Sequence, residues 1–398
     1  MELARYPATP FGEARRTPGR HGYVAYFPAS IPRALELPAP SVNLLADAEG
    51  ALGQLAAVGR LVPNPDLLIR PYLLREAVSS TRIEGTQATI GDVLDADATG
   101  ATVNADIEKV VNYVAAMRWG LEQLDRLPLS ARLLRELHSR LMAGVRGREL
   151  SPGSLRTTQN WIGPPGSAIE SAPFVPPPPE DLAGLLGDWE RFAHEDPEMP
   201  LLVQDALLHA QFETIHPFLD GNGRLGRLIL VFVLVARDRL PAPLLYLSAY
   251  LEQNRASYYE SLQALRETGD PIPWIELFLN AVQTQALDAV RRAERIVELR
   301  GRYRTAAANM GTSNALALVD LICENPLLTT RSVEDSLSVT RPTAIRLLKR
   351  MEEQGVLTEQ KVGSRGQRRY IAQGLMDVVA GERDGMDRRR RPHLGSGR

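Results

Sequence analysis

His216-Pro217-Phe218-Leu219-Asp220-Gly221-Asn222-Gly223-Arg224-Leu225-Gly226-Arg227 is the densest chemical stretch of this 398-residue chain. It lies between two helical patterns. Residues 201–215 carry Leu202, Val203, Ala206, Leu207 and Ala210 on one face, and Pro217 ends that helix. Residues 224–239 are the most apolar helical stretch and the expected central helix. His216 then sits at a helix terminus facing a loop. Asp220 is a hard oxygen ligand of the kind Mg²⁺ takes alongside phosphate oxygens. Gly221, Asn222 and Gly223 let backbone N–H groups approach an anion closely, and the next helix points its N-terminal dipole there. Arg224 and Arg227 are three apart and share a helix face, and guanidinium forks suit phosphate oxygens. A base, a metal ligand, an anion nest and two phosphate clamps in one loop are what phosphoryl or nucleotidyl transfer needs. A bland loop has no reason to order them in this way.

Outward from the loop, residues 151–179 are rich in Pro, Gly and Ser. The spacing predicts a β-hairpin flap, with Asn160-Trp161-Ile162-Gly163 and Ala172-Pro173-Phe174-Val175 as its arms and Pro176 to Pro179 as its exit. A helix follows over 180–194. Upstream, helical spacing covers 44–58, a stretch from 67 or 70 to 84 with Pro71 in its first turn and Gly85 as its stop, 106–124, and 130–143 with Ser130 as N-cap. Downstream, helices are expected over 248–267 and 273–302. Residues 1–42, rich in proline and aromatics, read as an extended docked arm with little regular structure. No tandem repeat of fixed period is visible.

From Asn314 the texture changes. Short helices over 315–324, 332–337 and 342–354 precede Val356-Leu357, a Gly363-Ser364-Arg365-Gly366 turn and Arg369-Tyr370-Ile371. Thr340 and Gly355 are the expected cap and stop of the third helix. This is the winged helix-turn-helix plan with a two-stranded wing. Pro342, Arg341, Arg346, Lys349 and Arg350 decorate the candidate recognition helix, and Arg365, Arg368 and Arg369 the wing. The tail after Gly381, with Arg388 to Arg391, reads as disordered.

Composition excludes several classes. The apolar fraction is 44% and the charged fraction 24%, which argues against wholesale disorder. One cysteine forms no internal disulfide and rules out multi-cysteine zinc sites. The longest clean apolar run, Leu228 to Ala236, is nine residues, far short of the ~20 of a membrane span. No secretory signal is legible at the N-terminus, so the expected location is cytoplasmic with no membrane contact. The net charge of −2 hides an asymmetry: from Asn314 to Arg398 there are 15 Lys and Arg against 11 Asp and Glu. That mild basic excess is compatible with nucleic acid.

The loop resembles the Fic family signature, His-x-Phe-x-Asp/Glu-Gly-Asn-Gly-Arg-x-x-Arg, and matches every fixed position. The Trp161 flap with its proline-rich exit and the Ser248–Trp274 region are similar to bacterial Fic proteins with an N-terminal helical region and a C-terminal winged helix. The resemblance covers most of residues 30–300. It implies a mainly α fold: a Fic-type helical bundle with a small β-hairpin flap, plus a C-terminal winged helix-turn-helix. The expected parts are an N-terminal helical region with an inhibitory helix (1–125), the catalytic core (126–303), the winged helix-turn-helix (314–373) and a basic tail (381–398). It further implies protein adenylyltransfer, moving AMP from ATP to a Ser, Thr or Tyr hydroxyl of a target protein or of the chain itself. His216 would be the general base, Asp220 would hold Mg²⁺, and Gly221, Asn222, Gly223, Arg224, Leu225, Gly226 and Arg227 would bind the nucleotide. Arg227 is expected nearest the γ-phosphate. Asn254, Tyr258 and Tyr259 are candidates for the nucleoside pocket, and the flap would align the target by strand-like pairing.

Ser80-Thr81-Arg82-Ile83-Glu84-Gly85 matches the family's inhibitory motif, Ser/Thr-x-x-x-Glu-Gly/Asn. Ser80 and Glu84 share a helix face. By resemblance Glu84 pairs with Arg227 and keeps ATP from its productive place, with Ser80 and Gly85 as the other motif positions. The same carboxylate could orient water and reverse the modification. Two alternatives therefore stand beside the transferase: removal of AMP through Glu84, and a DNA-binding regulator acting through 314–373. A homodimer is expected because symmetric pairs are the commonest assemblies.

Overall fold

The computed structural model of the chain describes residues 1–18, 22–61, 66–99, 104–144, 151–164, 166–362 and 367–380. Fifteen helices and five short strands are defined among them. The expected 363–366 turn and the tail after Gly381 lie outside the described residues.

Helix α7 (Leu201–Ile215) and helix α8 (Asn222–Ala236) form the centre, antiparallel neighbours joined by the motif loop. Every residue of α7 from Leu202 to Ile215 is buried, and so is every residue of α8 from Arg224 to Leu234. A helix walled in on all sides can carry apolar residues all round, which is why α7 shows so little amphipathic spacing. Trp189 from α6 (Leu182–His194) and Trp274 from α11 (Ile272–Ala308) pack on α7 and donate their indole N–H groups to the carbonyls of Leu208 and Ala206. Those bonds satisfy the polar end of each buried indole. Helix α4 (Ala105–Gln123), capped by Asn104, and α5 (Ala131–Leu141), capped by Ser130, cover α8, and α1 (Ala39–Leu61) lies along α11.

Helix α2 (Asp66–Ile83) packs against α4, α8 and α9 (Ser248–Gln253). It starts earlier than expected, so Pro71 is its sixth residue and removes one intrahelical hydrogen bond rather than sitting in the first turn. Gly85, at φ +94°, ends it as expected. Helix α3 (Ile90–Thr99), not foreseen, follows at once. Its start is closed by Thr89 and Asp92, each side chain accepting the other's backbone N–H. The expected helix over 248–267 is two helices, α9 and α10 (Arg255–Thr268), broken at Asn254.

The N-terminal arm is not irregular. Strands β1 (Gly12–Arg16) and β2 (Val24–Pro28) pair antiparallel, with Gly12 opposite Pro28 and Arg16 opposite Val24. The pair is held by the flap: the Tyr26 N–H donates to the Val175 carbonyl, and Tyr6, Tyr26, Phe174 and Val175 share a small apolar cluster. The flap itself is less regular than the expected hairpin. Its two arms meet in a single bridge, Ile162 with Phe174. Pro164 and Pro173 beside the bridge lack the N–H groups a longer ladder needs.

The C-terminal part contains α12 (Ser313–Glu324), β3 (Leu327–Thr329), α13 (Thr330–Leu337), α14 (Arg341–Glu353), β4 (Thr358–Val362), β5 (Gln367–Ile371) and α15 (Gln373–Ala380). The sheet is antiparallel in the order β3-β5-β4, three strands where two were expected. Thr340 stands at the N-cap of α14 but turns its hydroxyl to Thr343 rather than to the backbone. One apolar core continues from the helical body into this part. Polar ties join it to α3: Arg369 to Asp95 at 2.7 Å and Asn325 to Asp97 at 3.2 Å.

Candidate active site

The motif loop starts with a backbone turn that few side chains adopt. His216 caps α7 in the left-handed region, φ 49° and ψ 59°, and its N–H still bonds the Phe212 carbonyl. Its ring is half-buried. Burial, then the cations Arg156 and Arg266, push its imidazole down to about 4, so it is neutral near pH 7 and able to accept a proton. Asn222 fixes the loop from the inside: its Oδ1 accepts the Phe218 N–H at 2.9 Å and its amide donates to the Phe218 carbonyl at 2.7 Å. The Asn222 side chain is thus spent on the loop, which leaves its backbone to the anion nest. Gly221, at φ +79°, opens α8.

His138 of α5 supports the loop from below and was not singled out from sequence, where it reads as one more member of an apolar face. Its Nδ1 accepts the Gly153 N–H, which makes Nε2 the donor to the Asp220 carbonyl at 2.9 Å. Its ring stacks on Phe218 at 3.9 Å between centroids. Burial lowers it to about 4, so it stays the neutral donor this bond requires.

Asp220 has a 54% exposed side chain. One oxygen accepts the Gly221 N–H at 2.6 Å and the other lies 3.4 Å from Arg224. Arg224 is buried, and its Nε and Nη1 have no hydrogen-bond partner among the described residues. A buried guanidinium with two undirected donors beside an exposed carboxylate suits an anion-plus-cation ligand. Among the described residues no group of three or more His, Cys, Asp or Glu gathers. One exposed carboxylate beside the glycine nest is a donor set that fits Mg²⁺ shared with phosphate oxygens.

Arg227 is 1% exposed, and its Nε and Nη2 are both engaged. Its Nε donates to the Ser80 hydroxyl at 2.9 Å, and its Nη2 donates to the Ser80 carbonyl at 2.9 Å and to Glu84 at 2.8 Å. Burial works against its charge, but Glu84 more than restores it and holds the guanidinium above its ordinary range. Glu84 also covers Gly223: a Cβ there would stand 2.5 Å from Glu84 Oε1. The motif of α2 and the motif loop, 143 positions apart at Glu84 and Arg227, are brought into contact.

Behind the loop, Leu225 is core. Gly226 is required by close approach, since a Cβ would meet Glu213 Oε1 at 2.4 Å and His209 Cε1 at 3.2 Å. Glu213 is buried, and burial raises it to about 7. Tyr258 is a core residue, its hydroxyl 2.8 Å from His209 Nε2. Tyr259 is 44% exposed beside it. Asn254 bonds back to the Tyr250 carbonyl at the α9–α10 break. Of the three nucleoside-pocket candidates, only Tyr259 presents a large open face.

Comparison with known proteins agrees with this architecture. Residues 42–122 match the Fic/DOC family N-terminal model and residues 128–234 the Fic/DOC family model. Protein adenylyltransferase Fic of Drosophila grimshawi is 27% identical over 211 residues, which cover 51% of this chain and 40% of the relative. The Drosophila melanogaster protein of the same name is 26% identical over 211 residues, 39% of its length. The chain thus spans about two fifths of the curated relatives it matches. Among solved structures, a Fic family protein from Desulfovibrio desulfuricans G20 superposes with a TM-score of 0.56 at 21% identity, covering 85% of this chain and 97% of the other. A Fic domain containing signaling protein from Bacteroides thetaiotaomicron VPI-5482 gives 0.50 at 19% identity, covering 62% and 95%. These two carry the likeness of fold. Among the described residues no helix is long and apolar enough to cross a membrane.

Proposed function

We propose that this chain, which carries a Fic/DOC domain and the family's N-terminal region, is a protein adenylyltransferase restrained by its own Glu84. The observation that carries the reading is the meeting of Glu84 with Arg227 over Gly223, inside a loop that also gathers His216, Asp220 and Arg224. Triphosphate and Glu84 compete for the same guanidinium. While the carboxylate holds it, ATP has no clamp for its γ-phosphate.

In the released state, backbone N–H groups of Gly221 to Gly223 and the dipole of α8 take the phosphates, and Arg224 and Arg227 offset the charge that grows on the leaving pyrophosphate. Neutral His216 accepts the proton of a Ser, Thr or Tyr hydroxyl as its oxygen attacks the α-phosphorus. The bond to pyrophosphate breaks, and AMP stays on the target. Asp220 would hold Mg²⁺, which when bound neutralises charge across the phosphates. The exposed Trp161 and Ile162 of the flap offer the edge on which a target strand aligns.

The test is incorporation of α-labelled ATP with Mg²⁺. Glu84→Gly is expected to label targets or itself far above wild type, and His216→Ala in that background to abolish it. An unlabelled Glu84→Gly protein, with every common nucleotide, overturns the assignment.

Two further readings have an observation each. The Glu84 side chain is 40% exposed at the phosphate site, which favours a role orienting water to release AMP from a modified protein. Release by wild type, lost in Glu84→Gln, would select it. Helix α14 and the sheet carry Arg341, Arg346, Lys349, Lys361 and Arg368 on exposed positions, a face suited to DNA phosphates and to a winged-helix role. Salt-dependent DNA shifts by the full chain would select that one.

A further inference from the structure

A buried arginine outside both motifs ties the flap to the catalytic loop. Arg156 is 3% exposed and has no carboxylate partner among the described residues. Its guanidinium donates instead to three carbonyls: His216 at 2.9 Å, Ile215 at 3.3 Å and Pro177 at 2.5 Å. Its own N–H donates to the Pro217 carbonyl at 3.0 Å. Ile215 and His216 are the last carbonyls of α7, which have no intrahelical donors, and a cation there complements the helix dipole. Pro177 belongs to the flap exit.

The same short segment repeats the pattern. Asn160 donates to the Phe218 carbonyl at 3.0 Å, and Gln159 to the Pro176 carbonyl at 3.0 Å. Tyr23 beside β2 donates to Gln159 at 2.9 Å. One strand of chain thus bonds consecutive carbonyls of the catalytic loop on one side and consecutive carbonyls of the flap exit on the other. Proline leaves the exit carbonyls without neighbouring N–H groups to compete for them.

We propose that Arg156 is a positioning residue that sets the left-handed turn of His216 and couples it to the flap, so that a target aligned on the flap meets the imidazole in register. This rests on the adenylyltransferase reading for its kinetic consequence only. The charge has a second effect. Arg156 and Arg266 from α10 favour the neutral base, while Glu84, just past the end of α2, pulls the other way.

The test uses the full chain with Glu84→Gly and adds Arg156→Lys or Arg156→Gln. AMP transfer is read as kcat and as KM for ATP, and His216 is titrated by NMR of ¹³C-labelled histidine, assigned with His216→Ala. Both variants are expected to lose about 10²-fold in kcat at unchanged KM for ATP, the cost of a displaced reacting group. Gln is expected to raise the His216 midpoint by roughly 1 unit, and Lys, which keeps the cation, to leave it in place. Full kcat in Arg156→Gln overturns the proposal, and so does a His216 midpoint equal to that of the parent. Should the Gln variant fail to fold, Arg156→Lys decides through its kcat against KM split. The titration needs no turnover, so a parent that transfers no AMP would sink the assigned reaction and still leave Arg156 testable.

Discussion

The Glu84 carboxylate stands 2.8 Å from the Arg227 guanidinium and against the bare Cα of Gly223. One side chain thereby takes both the clamp and the floor of the phosphate nest. On the proposed reading this contact keeps a triphosphate out, and removing one carboxylate frees both places at once.

Ser80 shares the hold on Arg227 through its hydroxyl and its carbonyl. Ser80→Ala deletes only the first. A hydrogen bond to a charged group is worth about 1.5–3 kcal/mol, so labelling is expected to rise by about tenfold and to stay below Glu84→Gly. Parallel labelling assays of the two variants decide it; equal rates would show that the hydroxyl restrains as strongly as the carboxylate.

His216, held down at about 4 by burial and two cations, is already deprotonated throughout the neutral range. The acid limb of kcat/KM for the Glu84→Gly protein is therefore expected near pH 4, with a flat profile from about pH 6 to 8. A limb near 6.5 would mean an imidazole exposed to solvent as in a free peptide.

Glu213 Oε1 has no hydrogen-bond partner among the described residues, and burial raises the carboxyl from 4.5 to about 7. A raised carboxyl contributes stability that is present below the unfolded value and lost as pH climbs through the folded one. Wild type is thus expected to lose stability relative to Glu213→Gln between about pH 4.5 and 7, by an amount of order 3 kcal/mol. Melting temperatures of both proteins across that range measure it.

Gly226 has no room for a methyl group between Glu213 and His209. Gly226→Ala is expected to cost about 1–3 kcal/mol by overpacking, and the cost should shrink in the Glu213→Ala background. Urea unfolding of the two single variants and the double variant tests the coupling.

Asp220 is exposed, and among the described residues its side chain bonds only the Gly221 N–H and, at long range, Arg224. Asp220→Ala is expected to stop transfer with a melting temperature close to wild type. Chelation of divalent cations should likewise stop the parent reaction, and added Mg²⁺ should restore it.

The sequence was legible where the signal is local. Helices α4 to α8 are close to the expected spans because apolar spacing, Ser130, Pro217 and the glycines act within a few residues. Arg227, His216 and Asp220 were legible because the loop carries them in one string. Strands β1 and β2 were not, because what makes them strands is their pairing with each other and the Tyr26 bond to Val175, partners distant in the chain. The third strand of the C-terminal sheet was missed for the same reason, since β3 is a strand through its pairing with the distant β5.

The amino-acid order alone determined that a base, a carboxylate, a glycine nest and two arginines occupy one bend between helices, since neighbours in the chain are neighbours in a turn. Tertiary packing decided the rest. It buried Arg227 beside Glu84, left Arg224 with undirected donors, lowered His216 and His138 and raised Glu213, because desolvation and charge contact depend on which distant segments fold against a group. It also set Arg156 across two segments far apart in the chain, donating to a carbonyl of each.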